Sequence, residues 1–355
     1  MNYHMISEIR EQPQAFTRIV ERRGRLREVA EKVWIRSPRN YYIIGCGSSY
    51  YSAMIGAFYH ECLFGLNSRA MPSSEFVWYA PIANLPSWML IALSRSGRTS
   101  ETVEASRKAL KMKVPVVGVT ADSSSTMAHE CDYCVDIEIK NEESTIMTKS
   151  FTASALCSIL LGLEFSRLQQ TAIPRAFEER LDHLPEEAES IIRTVEDQAK
   201  KTAEIMQGLS RFIYLGSGGN YASCLEGALK LRETSYTAAE TYHTLEFRHG
   251  PFAELQEGIG VIAVVPKGKS IQEWKMLLQE IASTGASVFP ISDVHEIVEA
   301  YKNAIRMPEH LSPEFAPLLY MIPMQLIAYY HAVKRGLNPD SPRNLTKYVK
   351  TEISP

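Results

Sequence analysis

The chain has 355 residues, and at roughly 100–200 residues per domain that length predicts two domains or one unusually large one. Hydrophobic residues make up 45% and charged residues 22%, an ordinary globular balance that excludes a disordered, collagen-like or coiled-coil chain. Lys+Arg 38 against Asp+Glu 41 leaves a net charge of −3, too little positive field to hold a nucleic-acid backbone, so no nucleic-acid partner is expected.

The start, MNYHMISEIREQP, has no apolar signal core, and a helix is expected over Ile6–Lys32. The longest apolar stretch, near Leu318–Ala332, is broken by Pro323 and Gln325 and falls short of the ~20 residues a membrane helix needs, so no membrane association is expected. Six cysteines without a secretion signal point to a reducing, cytoplasmic setting rather than a disulfide framework. Cys131 and Cys134 form one CxxC preceded by His129, but no second pair follows at zinc spacing, so neither a metal nor another cofactor is expected.

The chain repeats itself. NYYIIGCGSSYYSAMIGA (Asn40–Ala57) aligns without gaps to RFIYLGSGGNYASCLEGA (Arg211–Ala228), 171 residues later, and two such offsets nearly exhaust the length. Each copy runs from an aromatic and β-branched stretch through Gly-x-Gly into small residues, the pattern of strand, tight turn and helix. WMLIALSRSGRTSETVEASRKALKMKVPVVGVT in the first copy and GIGVIAVVPKGKSIQEWKMLLQEIASTGASVFPIS in the second each read as strand, loop, helix, strand. Strands alternating with amphipathic helices predict two α/β domains, each a parallel sheet sandwiched by helices. The expected division is an N-terminal helical segment over 1–35, a first domain over 36–165, a helical connector with Pro174 and Pro185 over 166–209, a second domain over 210–330, and a tail over 331–355. Neither copy completes a dinucleotide fingerprint, because Tyr50 and Tyr221 stand where its third glycine would fall.

In the first copy a strand ends in Leu93-Ser94-Arg95-Ser96-Gly97-Arg98-Thr99 and a helix follows at once. Hydroxyls at Ser94, Ser96 and Thr99, with the N–H groups of a helix start, make a cradle suited to phosphate. The strand-end rule for open α/β sheets places this loop beside Gly47-Ser48-Ser49. The alternative is that these hydroxyls only cap the helix. The second copy reads Pro266-Lys267-Gly268-Lys269-Ser270 at this place and lacks the set.

The second copy follows its glycine turn with Glu226, Lys230 and Glu233, spaced i, i+4, i+7 on one helix face. Such a trio is either a solvated salt-bridge ladder or, since Glu226 matches the apolar Ile55 of the first copy, a buried group tuned for proton transfer. Farther on, Leu245-Glu246-Phe247-Arg248-His249-Gly250-Pro251 sets an imidazole in a rigid turn, and histidine is the commonest proton shuttle near neutral pH.

Taken in order, EIREQP, GCGSSYY, SRSGRT, MTKSFT (147–152), LEGALKLRETSY, ETYHTLEFRHGP and SPRNLTKYVKTE resemble the sugar isomerase (SIS) family over nearly the whole chain. Within it they are most similar to the isomerase half of glucosamine-6-phosphate synthases and to stand-alone glucosamine-6-phosphate deaminases. The resemblance implies two tandem SIS domains. It implies that Ser94, Arg95, Ser96 and Thr99, with Gly47, Ser48, Ser49 and Thr145, hold the phosphate of a hexose 6-phosphate. His249, which in this family comes from the neighbouring subunit, would open and close the sugar ring, implying a homodimer. Glu233 would move the proton between C1 and C2, Lys347 would form or manage the imine with the keto sugar, and Glu226 and Lys230 would complete the pocket.

Two departures bear on activity. The synthases carry an N-terminal glutaminase half, whereas here Met1-Asn2 lead directly into the isomerase motifs, so glutamine hydrolysis is not expected of this chain and a separate glutaminase stays open as a partner. The synthase loop is usually SQSGET; here Arg95 and Arg98 replace Gln and Glu, adding charge that would tighten phosphate binding or alter the surroundings of the anomeric end. The expected activity is deamination and isomerisation of glucosamine 6-phosphate. Ammonia- or glutamine-dependent synthesis in reverse, plain aldose–ketose isomerisation, and a non-catalytic sugar-phosphate sensor are the alternatives.

Overall fold

The computed structural model describes residues 3–80, 87–139 and 141–349. Met1 and Asn2, and the part of the tail after Val349, lie outside the described residues. The chain forms two compact units. One contains the described residues of 14–142, 147–182 and 345–349; the other contains 3–13, 143–146 and 183–344.

In the first unit β1 (Asn40–Gly45), β2 (Asn67–Pro72), β3 (Trp88–Leu93), β4 (Val116–Thr120) and β5 (Tyr133–Asp136) pair in the order β2-β1-β3-β4-β5, all parallel. In the second unit β6 (Arg211–Gly216), β7 (Ala238–His243), β8 (Ile259–Val265), β9 (Ser287–Ser292) and β10 (Ile305–Arg306) pair as β10-β9-β8-β6-β7, again parallel and with the same connectivity. Strands β4 and β8 are buried at every position, as expected of sheets covered on both faces. Around the first sheet, Leu90 and Val116 pack with Val103, Ala105 and Ala109 from the helix Ser100–Lys111. Around the second, Val261 and Ala263 pack with Trp274, Leu277 and Ile281 from the helix Ile271–Ser283. Each of the Val, Leu and Ile side chains among these contributes about 1.5–3 kcal/mol when fully buried.

The repeat seen in the sequence runs through the elements. Strands opening at Asn40, Asn67, Trp88 and Val116 have counterparts opening at Arg211, Ala238, Ile259 and Ser287, each 171 residues on. The helices opening at Ser48 and Ser100 have counterparts opening at Gly219 and Ile271 at the same interval. The turns match too: Gly47 and Gly218, each just before its helix, have φ of +53° and +56°, a region that side chains with a Cβ avoid.

Three expectations change. The single helix over Ile6–Lys32 is three helices, His4–Arg10, Gln12–Glu21 and Arg23–Trp34. The first break precedes Pro13, which has no N–H to continue the ladder, and the second precedes Gly24, a poor helix former. The connector expected over 166–209 is shared between the units: helix Arg175–Leu181, preceded by Pro174, belongs to the first, and helix Leu184–Ile205, with Pro185 in its first turn, to the second. Finally, where the sequence offered no stretch long enough to cross a membrane, among the described residues the helix Lys149–Gln169 has that length and apolar composition, and 89% of its apolar window is buried inside the protein. A helix apolar all round is what a large core requires.

Candidate functional site

The order β2-β1-β3 makes the carboxyl ends of β1 and β3 the topological switch point of the first sheet, where ligands of open α/β sheets bind. The loops leaving these ends are Cys46–Gly47 and Ser94–Thr99. In the second loop the hydroxyls of Ser94 and Thr99 lie 3.2 Å apart, Gly97 N–H donates to Ser94 Oγ at 3.1 Å, and Arg98 N–H donates to Ser96 Oγ at 3.2 Å. Thr99 occupies the cap position of the following helix, yet its hydroxyl makes no cap hydrogen bond. Capping therefore does not account for the cluster. Gly97 has φ +59°, and a Cβ there would sit 2.0 Å from Ser125 Oγ, so only glycine fits this turn. Ser48 and Ser49 are buried at the start of the helix Ser48–Cys62, and Ser49 Oγ contacts Met147 Sδ.

Beside this loop opens a cleft of about 360 Å³ whose lining includes Arg95, Ser96, Arg98, Asp122, Glu142 and Lys347. It unites Ser96 and Lys347, 251 positions apart, within one unit. Ser48, Ser49, Ser94 and Thr99 do not line it. Thr145 does not either; it belongs to the other unit, where its N–H donates to the carbonyl of Asp340.

Neither arginine of the loop carries an unbalanced charge. Arg95 Nη1 lies 2.9 Å from Glu142 Oε2, with the two side chains 11% and 2% exposed, and Arg98 pairs with Asp122. Glu142 also accepts from Thr148 N–H at 3.0 Å, Thr148 Oγ1 at 3.1 Å, Ser150 N–H at 3.1 Å and the Ser150 hydroxyl. Burial alone would raise its pKa, but the Arg95 guanidinium and the Ser150 hydroxyl overcome that and hold it below the ordinary value. The Lys347 amine donates to the Glu142 carbonyl at 2.9 Å, and Arg95 Nη2 donates to the Lys347 carbonyl at 3.2 Å. Sequence reading missed Glu142 and Asp122. The available signal was charge balance: two arginines in one buried loop demand two carboxylates.

In the second unit Lys230 Nζ lies 3.0 Å from Glu226 and 2.6 Å from Glu233 on the helix Gly219–Ser235. Their side chains are 1%, 0% and 18% exposed, so the trio is not a solvated ladder. Burial works against the Lys230 charge, but the two carboxylates outweigh it and raise the pKa, keeping the ammonium. His249 is exposed between two short 3₁₀ turns, and among the described residues its ring makes no hydrogen bond or ion pair. A histidine outside the sequence-predicted set, His243 at the end of β7, stacks on Tyr221 with centroids 3.6 Å apart.

The CxxC thiols are held protonated, burial pushing Cys131 up to about 12 and Cys134 up to about 11. Among the described residues no group of three or more His, Cys, Asp or Glu side chains is arranged to hold a metal ion.

The SIS domain model matches this chain twice, over residues 34–161 and 206–335, and the chain belongs to that family. It is 32% identical over 368 aligned positions to the glutamine–fructose-6-phosphate aminotransferase (isomerizing) of Pseudomonas aeruginosa, an alignment covering 99% of this chain and 59% of the relative. The chain thus spans about three fifths of the length of such relatives. Among solved structures, the C-terminal domain of glucosamine-fructose-6-phosphate aminotransferase from Francisella tularensis superposes with a TM-score of 0.87 at 24% identity, covering 96% of this chain and 99% of that one, a likeness of fold. Glucosamine-6-phosphate deaminase from Thermotoga maritima superposes with a TM-score of 0.77 at 26% identity, covering 98% and 99%.

Proposed function

We propose that this chain is an amino-sugar-phosphate deaminase and isomerase that converts glucosamine 6-phosphate and water to fructose 6-phosphate and ammonia. The observation that carries the reading is the meeting of Lys347 with Ser96 in one cleft: a primary amine suited to imine chemistry beside a loop suited to a phosphate. The likeness to the Thermotoga maritima deaminase over nearly the whole of both chains supports it. The family membership supports the broader statement of a sugar-phosphate isomerase.

In this reading the Ser94–Thr99 loop, whose Ser96 lines the cleft, anchors the phosphate. His249, supplied by a second copy of the chain in a homodimer, opens the sugar ring. Glu233 removes the C2 proton and returns it to C1, leaving an imine at C2, with Glu226 and Lys230 holding Glu233 in place. Lys347 manages that imine while water adds to C2 and ammonia leaves. The six cysteines are free, which supports a reducing, cytoplasmic setting.

The test is incubation of the pure protein with glucosamine 6-phosphate and its C4 epimer, with ammonia and ketose 6-phosphate assayed together. Failure to release ammonia, beside a working control deaminase, sinks the reading. A second reading, synthesis of glucosamine 6-phosphate from fructose 6-phosphate, is favoured by the 32% identity to the aminotransferase. It predicts amino-sugar formation when ammonia, or a glutaminase with glutamine, is supplied.

A further inference from the structure

Arg95 is flanked by two serines of the candidate phosphate loop, and its charge invites a role as a phosphate ligand. The geometry gives it other work. Its guanidinium is nearly buried, one end against the Glu142 carboxylate at 2.9 Å and the other against the carbonyl of Lys347 at 3.2 Å. The Lys347 amine in turn reaches the carbonyl of Glu142 at 2.9 Å. Three residues from three separate segments thus close a ring: loop to carboxylate, carboxylate segment to amine, amine segment back to the loop. Glu142 is itself immobilised by Thr148 and Ser150 at the start of the buried helix Lys149–Gln169. A planar fork bridging two acceptors on different segments fixes their separation, which a flexible ammonium cannot do.

We propose that Arg95 is a positioning residue for Lys347, setting the placement of its amine in the cleft through Glu142 and the Lys347 backbone rather than by binding the phosphate. The proposal rests on the reading above only in taking Lys347 as the reacting amine. It adds that the loop holding the phosphate and the amine handling the other end of the sugar are mechanically joined, so that the distance between them is built in before substrate arrives.

The experiment uses the full chain, with Arg95→Gln and, to keep the charge and guard against misfolding, Arg95→Lys. The first measurement is pulse acetylation followed by mass spectrometry of the peptide bearing Lys347, normalised to the exposed Lys269. Both variants are expected to raise Lys347 labelling by about threefold or more, because the amine is no longer held, and a smaller rise overturns the proposal. The second is binding of glucosamine 6-phosphate by calorimetry. Arg95→Gln is expected to lose less than about tenfold in affinity; a loss of about tenfold or more makes Arg95 a phosphate ligand and overturns the proposal. The third is turnover, where Arg95→Lys is expected to lower kcat about tenfold with KM within about threefold, and an effect carried by KM overturns it. Labelling needs no sugar, so it decides the positioning role even if the wild type neither binds nor turns over glucosamine 6-phosphate, a result that would defeat the functional reading instead.

Discussion

The Lys230 ammonium sits 3.0 Å from the Glu226 carboxylate, and both side chains are sealed from solvent, with exposures of 1% and 0%. Lys230→Met leaves that carboxylate buried without its counter-charge, and the expected cost is about 3–5 kcal/mol of folding stability, read from urea midpoints. The folded pKa of Lys230 is raised above 10.5, so its contribution is complete below that pH and is lost as pH rises through the folded value. The stability gap between wild type and Lys230→Met should therefore hold from neutral pH upward and narrow only above pH 10.5.

His60 is fully buried between Ser68 Oγ and the Ser158 carbonyl, and burial lowers its pKa from 6.5 to about 4. Between those values the unfolded chain binds a proton that the folded one refuses, so stability falls as pH drops through that window. The expected loss is on the order of 3 kcal/mol for this group. In His60→Asn, the part of the acid slope between pH 6.5 and about 4 that this group supplies should disappear from denaturant midpoints; an unchanged slope refutes the assignment.

Gly97 and Gly268 stand 171 residues apart in the repeat but in different conformations. Gly97→Ala must accept φ +59° and a Cβ 2.0 Å from Ser125 Oγ, whereas at Gly268 the nearest atom is 3.9 Å away and φ is ordinary. Gly97→Ala should cost about 1–3 kcal/mol in backbone strain, with overpacking against Ser125 added, and should weaken binding of glucosamine 6-phosphate. Gly268→Ala should be neutral or stabilising by about 0.4–1 kcal/mol. Equal shifts in Tm for the two would contradict the structure.

Glu233 is the least buried member of its trio, 18% exposed, and in the proposed reading it is the one that meets the sugar. Glu233→Gln should lower kcat by about 10²–10⁴ while the Kd for glucosamine 6-phosphate stays within about threefold. A sensor would have no turnover to lose, and undiminished turnover would remove Glu233 from the proton transfer.

Much of the fold was legible because the repeat is so regular: the interval that aligns Gly47 with Gly218 in sequence also aligns four strands and two helices in space. Each of these is a local pattern of apolar periodicity and turn chemistry. The Ser94–Thr99 cluster was legible for the same reason. The partners of Arg95 and Arg98 were not, since an ion pair between Arg95 and Glu142 is set by how strands and the helix after them pack, not by spacing along the chain. Nor did periodicity tell whether Glu226, Lys230 and Glu233 face water or a core. The identity of Ile55 at the matching place in the first copy was the one hint, and burial bears it out.

The membership of Lys347 in the unit built on the first repeat has a consequence for synthesis on the ribosome. Domains of nascent chains generally fold in order of emergence. Here the sheet of the first repeat is complete by Asp136, but the amine that lines its cleft is added only after the entire second repeat has been translated. In the proposed reading, a half-made chain can therefore hold the Ser94–Thr99 loop without Lys347. In that reading, reactivity is withheld until the second repeat, with Glu233 and His249, already exists.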